Sequence, residues 1–254
     1  SVVGTAKNIG QAKYIGEIIE KIKTTSPVAL NDTAIVLGDE TLLTPLLNSM
    51  PNKIDGLNIT MGLPIKFSST ASLFDNLLKL HGENKKSFYY KNLISILSHE
   101  LIAPLLDNND GNLCKIINTN NIVYSNLNTL VKISEANKEL LEMLFGNWTD
   151  TNTAIDRCIK IVYMIKNHFD DKGSENKITF EYLYHFNKLF NKLKRLQKQY
   201  SHINTVKTLH ILFRDTIKNE KIPFNGEPLK GLQIMGILES RVLDFETVII
   251  SSLN

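Results

Sequence analysis

The side chains in this sequence that point most directly to a chemical task are a row of cations. Four of them follow one another at intervals of three or four residues, which places them on one face of a helix: Lys188, Lys192, Arg195 and Lys198. Such a row can contact successive phosphates of a nucleic acid and release their counterions. Apolar residues occupy the opposite face, so the cations also fit the solvated side of an ordinary amphipathic helix. The residues alone leave both interpretations open.

The positive charge of the chain is concentrated around this row. Residues 185–221 hold nine lysines and arginines against two acids, Asp215 and Glu220, which gives this stretch a net charge of +7. The whole chain of 254 residues carries only +3, so the remainder is at −4. A regional excess of this kind favours an anionic partner.

Motifs of the common catalytic classes are missing from the sequence. No G-x-x-x-x-G-K-[ST] occurs, so this chain should not hydrolyse ATP by itself. The six histidines are dispersed, and no H-E-x-x-H, G-x-S-x-G or complete calcium loop is present. The two cysteines, Cys114 and Cys158, cannot form a four-cysteine zinc site. We therefore predict no catalytic residue, no metal site and no cofactor in this chain.

The composition is that of a globular protein with a sizeable core, since 43% of the residues are hydrophobic and 22% are charged. No apolar run approaches the roughly 20 residues of a membrane span. Two cysteines fit a pair of reduced thiols better than a disulfide framework. We expect a cytoplasmic protein without a membrane partner.

Both ends of the chain carry the elements of an α/β domain. An amphipathic helix near the N-terminus ends at Thr24–Pro27, and short apolar runs are typical of parallel strands: Thr33–Leu37, Leu57–Met61, Leu232–Ile237 and Thr247–Ser251. We expect the last two to be buried. Because the chain stops directly after the last strand, we expect a fragment whose α/β domain is incomplete at its C-terminus.

Residues from about 68 to 221 follow a helical period instead. Apolar stripes such as Leu73–Leu80 and Leu183–Leu193 alternate with Asn-rich polar loops: Asp107–Asn112, Thr149–Thr153 and Asp170–Asn176. We therefore predict a discontinuous α/β domain with a parallel sheet, made of residues 1–66 and 222–254. An all-helical domain, residues 67–221, is inserted into it.

Two stretches resemble a known family. Residues 232–254, LQIMGILESRVLDFETVIISSLN, resemble the motif of UvrD-like superfamily I helicases that reads approximately x-L-M-T-x-H-x-x-K-G-L-E-F-x-x-V. Residues 33–80 resemble the strand–helix–strand that precedes the inserted domain of these helicases. Two segments, N-I-T-M-G-L-P at residues 58–64 and F-Y-Y-K-N at residues 88–92, are most similar to AddB-like proteins. These are inactivated helicase subunits of helicase–nucleases that carry a PD-(D/E)xK nuclease domain.

The resemblance implies a second RecA-like domain and specific roles for some residues. Arg241 stands at the lysine of the motif, and Asp244 stands where the glutamate of the family approaches the nucleotide ribose; as an alternative, Asp244 is a helix N-cap or turn acid. Lys7 and Thr60 are candidate contacts to backbone phosphates. In the family the inserted domain rests near duplex DNA, which favours Lys188, Lys192 and Arg195 as DNA contacts.

The departures from the motif bear on activity. Gly236 and Leu238 replace the threonine and histidine that contact DNA or couple it to ATP in active members. The resemblance therefore implies a DNA-binding and scaffolding fragment for double-strand-break processing and recombinational repair. Its partners would be duplex or tailed DNA and a helicase–nuclease partner subunit.

Two alternatives stay open. The intact protein could be an active translocase or exonuclease that uses ATP and Mg²⁺ in a first RecA-like domain outside this chain. The chain could instead be a structural module that binds protein and no DNA, which would follow if other helices covered the basic face.

Overall fold

The computed structural model describes residues 2–51, 54, 56–83, 85–107, 111–170, 177–200, 202–222, 231–240 and 243–253. The chain divides into two compact units. Unit 1 consists of residues 1–63 and 221–254, and unit 2 of residues 64–220. Unit 2 therefore covers nearly the same stretch as the predicted insertion, residues 67–221.

Unit 1 is built on a parallel sheet, which places the protein in the α/β class. Its strands are β1 (Thr33–Leu37), β2 (Leu57–Ile59), β7 (Leu232–Gly236) and β8 (Thr247–Ser251), in the spatial order β2-β7-β1-β8. All neighbours in this sheet pair in parallel. The two central strands, β1 and β7, are buried along their whole length. Their continuous apolar sequences are what a strand covered on both faces requires.

The expectation that Thr247–Ser251 is a buried strand is wrong. Strand β8 lies at the edge of the sheet and pairs only with β1 among the described strands. Its residues alternate in exposure, and Val248 and Ile250 are 49% and 47% exposed. A β-branched run looks the same in sequence at an edge and at the centre, because strand order is set by the rest of the sheet.

In the described part of unit 1, two α-helices accompany the sheet, namely α1 (Lys7–Thr25) and α2 (Leu43–Ser49). They pack together closely at Gly16, where an added Cβ would lie 2.1 Å from the backbone oxygen of Ser49. Glycine at this position therefore sets the distance between the two helices. Short 3₁₀ segments, Pro27–Asp32 and Glu40–Leu42, flank β1.

Unit 2 is mainly helical. Its α-helices are α3 (Ser69–Gly82), α4 (Tyr90–Leu97), α5 (Leu113–Thr119), α6 (Leu127–Ile133), α7 (Lys138–Phe145), α8 (Thr151–Asp170), α9 (Lys177–Gln199) and α10 (Val206–Asn219). Short strands β3 (Leu63–Pro64) and β6 (Lys221–Ile222) lie where the chain passes from one unit to the other.

The core of unit 2 contains a group of four fully buried phenylalanine rings. Their centroids lie between 4.8 and 6.4 Å apart, and they come from α3, α9 and α10: Phe74, Phe186, Phe190 and Phe213. Aromatic pairs at these distances stabilise the fold in addition to the stabilisation that comes from burying their apolar area. The aromatic group therefore joins α3, α9 and α10. Helix α3 also packs along α10, and α8 packs along α9.

Unit 2 is not purely helical, and the prediction of an all-helical insertion is wrong in this respect. Strands β4 (Phe88–Tyr89) and β5 (Tyr124–Ser125) form an antiparallel pair in which Tyr89 lies opposite Tyr124. Two residues cannot display the alternation that identifies a strand in sequence. The pairing is made by residues far apart in the chain, so local patterning does not reveal it.

The described residues of the predicted polar loops adjoin helices, but the bounds differ, and Asp170 still belongs to α8. Thr151 already begins α8, because the carboxylate of Asp150 accepts hydrogen bonds from the N–H and the hydroxyl of Thr153 and so caps the helix. Asn112 caps α5 in the same way, by accepting from the N–H of Lys115. Residues 108–110 and 171–176 of the other two loops lie outside the described residues.

Candidate nucleic-acid interface

Helix α9 presents its cations to solvent because its other side is anchored in the core of unit 2. The buried stripe consists of residues at helical spacing: Leu183, Phe186, Leu189, Phe190 and Leu193. Lys188, Lys192, Arg195 and Lys198 lie on the opposite side and are exposed, and we call these four residues the basic face. The structure thus brings the three predicted DNA contacts on this helix together on one exposed surface.

Most of the basic face is not neutralised. Lys192 lies 3.3 Å from a carboxylate oxygen of Glu220, in a pair that is about half exposed on both sides. Lys188, Arg195 and Lys198 form no ion pair with any described carboxylate. Exposed cations without internal partners keep their full attraction for an external anion.

Helix α10 offers a contrast within the same unit. Its exposed cations include Arg214, which lies 3.6 Å from Asp75, and Lys218, which lies 2.7 Å from Asp215. Among the described residues, three cations of α9 (Lys188, Arg195 and Lys198) thus have no ion pair, whereas on α10 this holds for Lys207 alone. Lys194 of α9 is also paired, at 2.5 Å from Asp156 of α8, and it stands beside the basic face rather than on it.

Two exposed tyrosines accompany the basic face, and sequence reasoning missed both. Tyr184 of α9 is 58% exposed, and the Nζ atom of Lys188 lies 5.9 Å from the centroid of its ring. Tyr163 of α8 is 49% exposed, and its hydroxyl oxygen is 3.5 Å from the amide nitrogen of Asn187. The four-residue step from Tyr184 to Lys188 continues the spacing of the cations, so the signal for Tyr184 was present in the sequence.

The predicted phosphate contacts Lys7 and Thr60 lie in unit 1, at the carboxyl ends of strands. Thr60 follows β2, is exposed, and donates its N–H to the oxygen of Ile234 at 3.0 Å. Lys7 is the exposed first residue of α1 and has a left-handed φ of +60°. Its neighbour Asn8 lies 3.5 Å from Asp39, directly after β1, so the start of α1 reaches the carboxyl end of that strand.

The two residues predicted to approach a nucleotide cannot be joined into a site. Asp244 is exposed on the extended segment that leads to β8, and the structure places no helix there, so it is not an N-cap. Arg241 lies outside the described residues. No hydrogen bond or ion pair of Lys7, Thr60 or Asp244 links these described residues to one another.

The remaining motif residues divide between core and surface. Met235 is buried with Ala34 and Val36, and Leu243 and Phe245 pack against this group. Met235 therefore belongs to the core of unit 1, and the partly buried Leu243 and Phe245 cover it. Leu238 is 70% exposed in the turn after β7. Gly236 precedes that turn, and an added Cβ would lie 2.5 Å from a carboxylate oxygen of Glu239.

A separate cavity of unit 2, of about 510 Å³, has an aromatic wall and a basic rim. His81 stacks on Trp148 with ring centroids 4.3 Å apart and also faces Phe88, while Lys85 and Lys86 line the rim. The Nε2–H of His81 donates to the oxygen of Leu144 at 2.8 Å. Burial lowers the pKa of His81 to about 4, against the opposing effect of this hydrogen bond. The imidazole is therefore neutral at pH 7.

Within the described ranges, no group of three or more His, Cys, Asp or Glu side chains is arranged to hold a metal ion. Among the same residues, no helix combines the length and the apolar character needed to cross a membrane. Cys114 and Cys158 are both free thiols.

No model of a protein family matches the chain, and no curated protein matches it either.

Proposed function

We propose that this chain binds nucleic acid through the basic face of α9 and acts without catalytic turnover. The observation that carries the proposal is the exposure of Lys188, Arg195 and Lys198 on one helix face without neutralising carboxylates. Cations in this arrangement contribute to binding mainly by releasing counterions from phosphates. The proposal covers the described part of unit 2, and it does not depend on a nucleotide site in unit 1.

The resemblance of the sequence to AddB-like proteins gives the proposal a finer form. Unit 1 would be the second RecA-like domain of a helicase–nuclease subunit, and unit 2 would be its inserted domain resting near DNA. The fragment would then hold DNA and a helicase–nuclease partner subunit during double-strand-break processing and recombinational repair. ATP and Mg²⁺ would be required only if the intact protein keeps an active first RecA-like domain.

The alternative of a protein-interaction module without DNA binding is less well supported. It required the basic face to be covered by other helices, whereas these cations are exposed in unit 2. Tyrosine and arginine side chains are also frequent in protein interfaces, so the alternative is an explicit outcome of the test.

The test is a fluorescence-anisotropy titration of the chain with a labelled duplex that carries a single-stranded tail. We expect log Kd to change linearly with log salt concentration. Replacing Lys188, Lys192 and Arg195 together by glutamine should remove about 2.7 from the magnitude of the slope, at roughly 0.9 for each phosphate contact on duplex DNA.

A matched control is available on α10, where Lys207, Arg214 and Lys218 offer two lysines and one arginine. Their replacement by glutamine changes the net charge of the chain by the same amount. If both triple variants weaken binding equally, only net charge matters and the basic face is not the site. If the wild-type chain does not bind even at low salt, the proposal fails and the protein-interaction alternative takes its place.

A further inference from the structure

We propose that the surface formed by α8 and α9 takes single-stranded nucleic acid, with bases stacked on Tyr184 and Tyr163 and the backbone following the cations of α9. The inference rests on the proposed function and specifies the ligand class of the same site.

Tyr184 occupies the centre of the polar side of α9. It lies directly opposite the buried stripe that contains Phe186 and Phe190, so core packing does not require an aromatic ring there. The ring is 58% exposed, and the ammonium group of Lys188 lies 5.9 Å from its centroid. An ammonium group at this distance is attracted to the face of the aromatic ring. It can also contact the phosphate of a nucleotide whose base stacks on Tyr184.

Tyr163 adds a second ring from the neighbouring helix. Its hydroxyl oxygen lies 3.5 Å from the side-chain nitrogen of Asn187, one helical turn along α9 from Tyr184. Asn191, a turn further on, donates to the backbone oxygen of Asn187 at 2.9 Å, which orders the amides of this row. The two exposed rings therefore lie next to amide groups, which can hydrogen-bond base edges.

Among the described side chains of α9, the cations all lie C-terminal to Tyr184. From Tyr184 to Lys198 the axis of α9 extends for about 21 Å at 1.5 Å per residue. In the other direction, the exposed acids Glu181 of α9 and Asp170 of α8 would repel phosphates, and α8 carries one exposed lysine there, Lys166, among the described side chains. The charges thus define a path from Tyr184 towards Arg195 and Lys198.

Exposed rings beside a cationic path match a single strand better than a duplex. In a duplex the faces of the bases are stacked on one another, so only phosphates and base edges are accessible. A single strand exposes base faces, and stacking on aromatic side chains tolerates any sequence. The basic face alone would serve either form, whereas the two tyrosines have a role only with unpaired bases.

The test compares three labelled probes with the same full chain: a 12-nucleotide oligothymidylate, an abasic 12-mer and a blunt 12-base-pair duplex. The abasic strand keeps the phosphates of the first probe and lacks its bases. We expect oligothymidylate to bind about five-fold or more tighter than the abasic strand for each stacked tyrosine. The Tyr163→Leu/Tyr184→Leu variant should lose this preference, and the Tyr163→Phe/Tyr184→Phe variant should retain it.

Tyr124→Leu is the control, since Tyr124 is 63% exposed on β5 of the same unit, away from α9 in sequence and not on the α8–α9 surface. Circular dichroism checks that each variant is folded. If wild-type protein binds oligothymidylate and the abasic strand equally, or if the double leucine variant keeps the preference, the stacking inference is overturned while nucleic-acid binding stands. If none of the three probes binds, the proposed function falls together with the inference.

Discussion

Lowering the pH should destabilise this protein through one buried side chain, His81. The ring is 8% exposed, stacks on Trp148 and donates a hydrogen bond to the carbonyl oxygen of Leu144. Burial is the main cause that lowers its pKa from 6.5 to about 4, and the positive charge of Arg157 lowers it further. The unfolded chain therefore binds a proton at this histidine at a higher pH than the folded chain does.

The direction and size of the effect follow from this difference. Stability from neutral His81 is fully present above about pH 6.5 and is lost as the pH falls towards 4. The complete loss is about 3 kcal/mol, at about 1.4 kcal/mol for each pKa unit. At pH 5 the expected loss is about 2 kcal/mol.

The assay is urea unfolding between pH 7.5 and pH 5, followed by the fluorescence of Trp148, the one tryptophan of the sequence. The His81→Gln variant keeps an amide donor for Leu144 and removes the titrating ring. Carboxylate titration affects the free energy of unfolding of both proteins alike and cancels in their difference. The free energy of unfolding of the wild type should therefore fall by about 2 kcal/mol more than that of His81→Gln between pH 7.5 and pH 5.

His202→Gln is the control for losing a histidine, because His202 is exposed and loses little water on folding. This variant should follow the wild-type profile. If the wild type and His81→Gln lose stability in parallel from pH 7.5 to pH 5, the burial of a neutral His81 does not govern acid stability and the reasoning is refuted.

Three further predictions concern the two cores and the thiols. Phe190→Ala should cost about 3–5 kcal/mol in urea unfolding because the fully buried ring packs against other phenylalanines, and a cost below that of Phe190→Leu would contradict this packing. Asn58→Leu should cost about 1–3 kcal/mol, since its amide donates to Gln233 at 2.7 Å inside the sheet; an unchanged midpoint would show that this bond is dispensable. Burial raises the thiol pKa of Cys158 strongly and that of the half-buried Cys114 less. Native protein at pH 8 should therefore react slowly with a disulfide reagent at Cys114 and not at Cys158. Rapid labelling of both thiols would contradict the buried position of Cys158.

Much of the fold was readable from local patterns. The runs at 33–37 and 247–251 are strands with the predicted bounds, and the stripes at 73–80 and 183–193 lie on helices. A strand or an amphipathic helix is recorded in the period of its apolar residues, so a short window is enough to recognise it. The helices α5, α7 and α10 lay in a region predicted to be helical, but their separate bounds required the caps at residues such as Asn112 and Thr205.

The sequence by itself determined that α9 carries cations on one side and a core stripe on the other, because helical spacing alone divides its faces. Only the tertiary structure decided which cations remain unpaired, since Arg214 meets Asp75 and Lys194 meets Asp156 across long stretches of chain. It also placed Tyr163 beside α9 and put β8 at the sheet edge. Periodicity is a local property of the chain, whereas ion pairing, ring placement and strand order depend on which elements pack together.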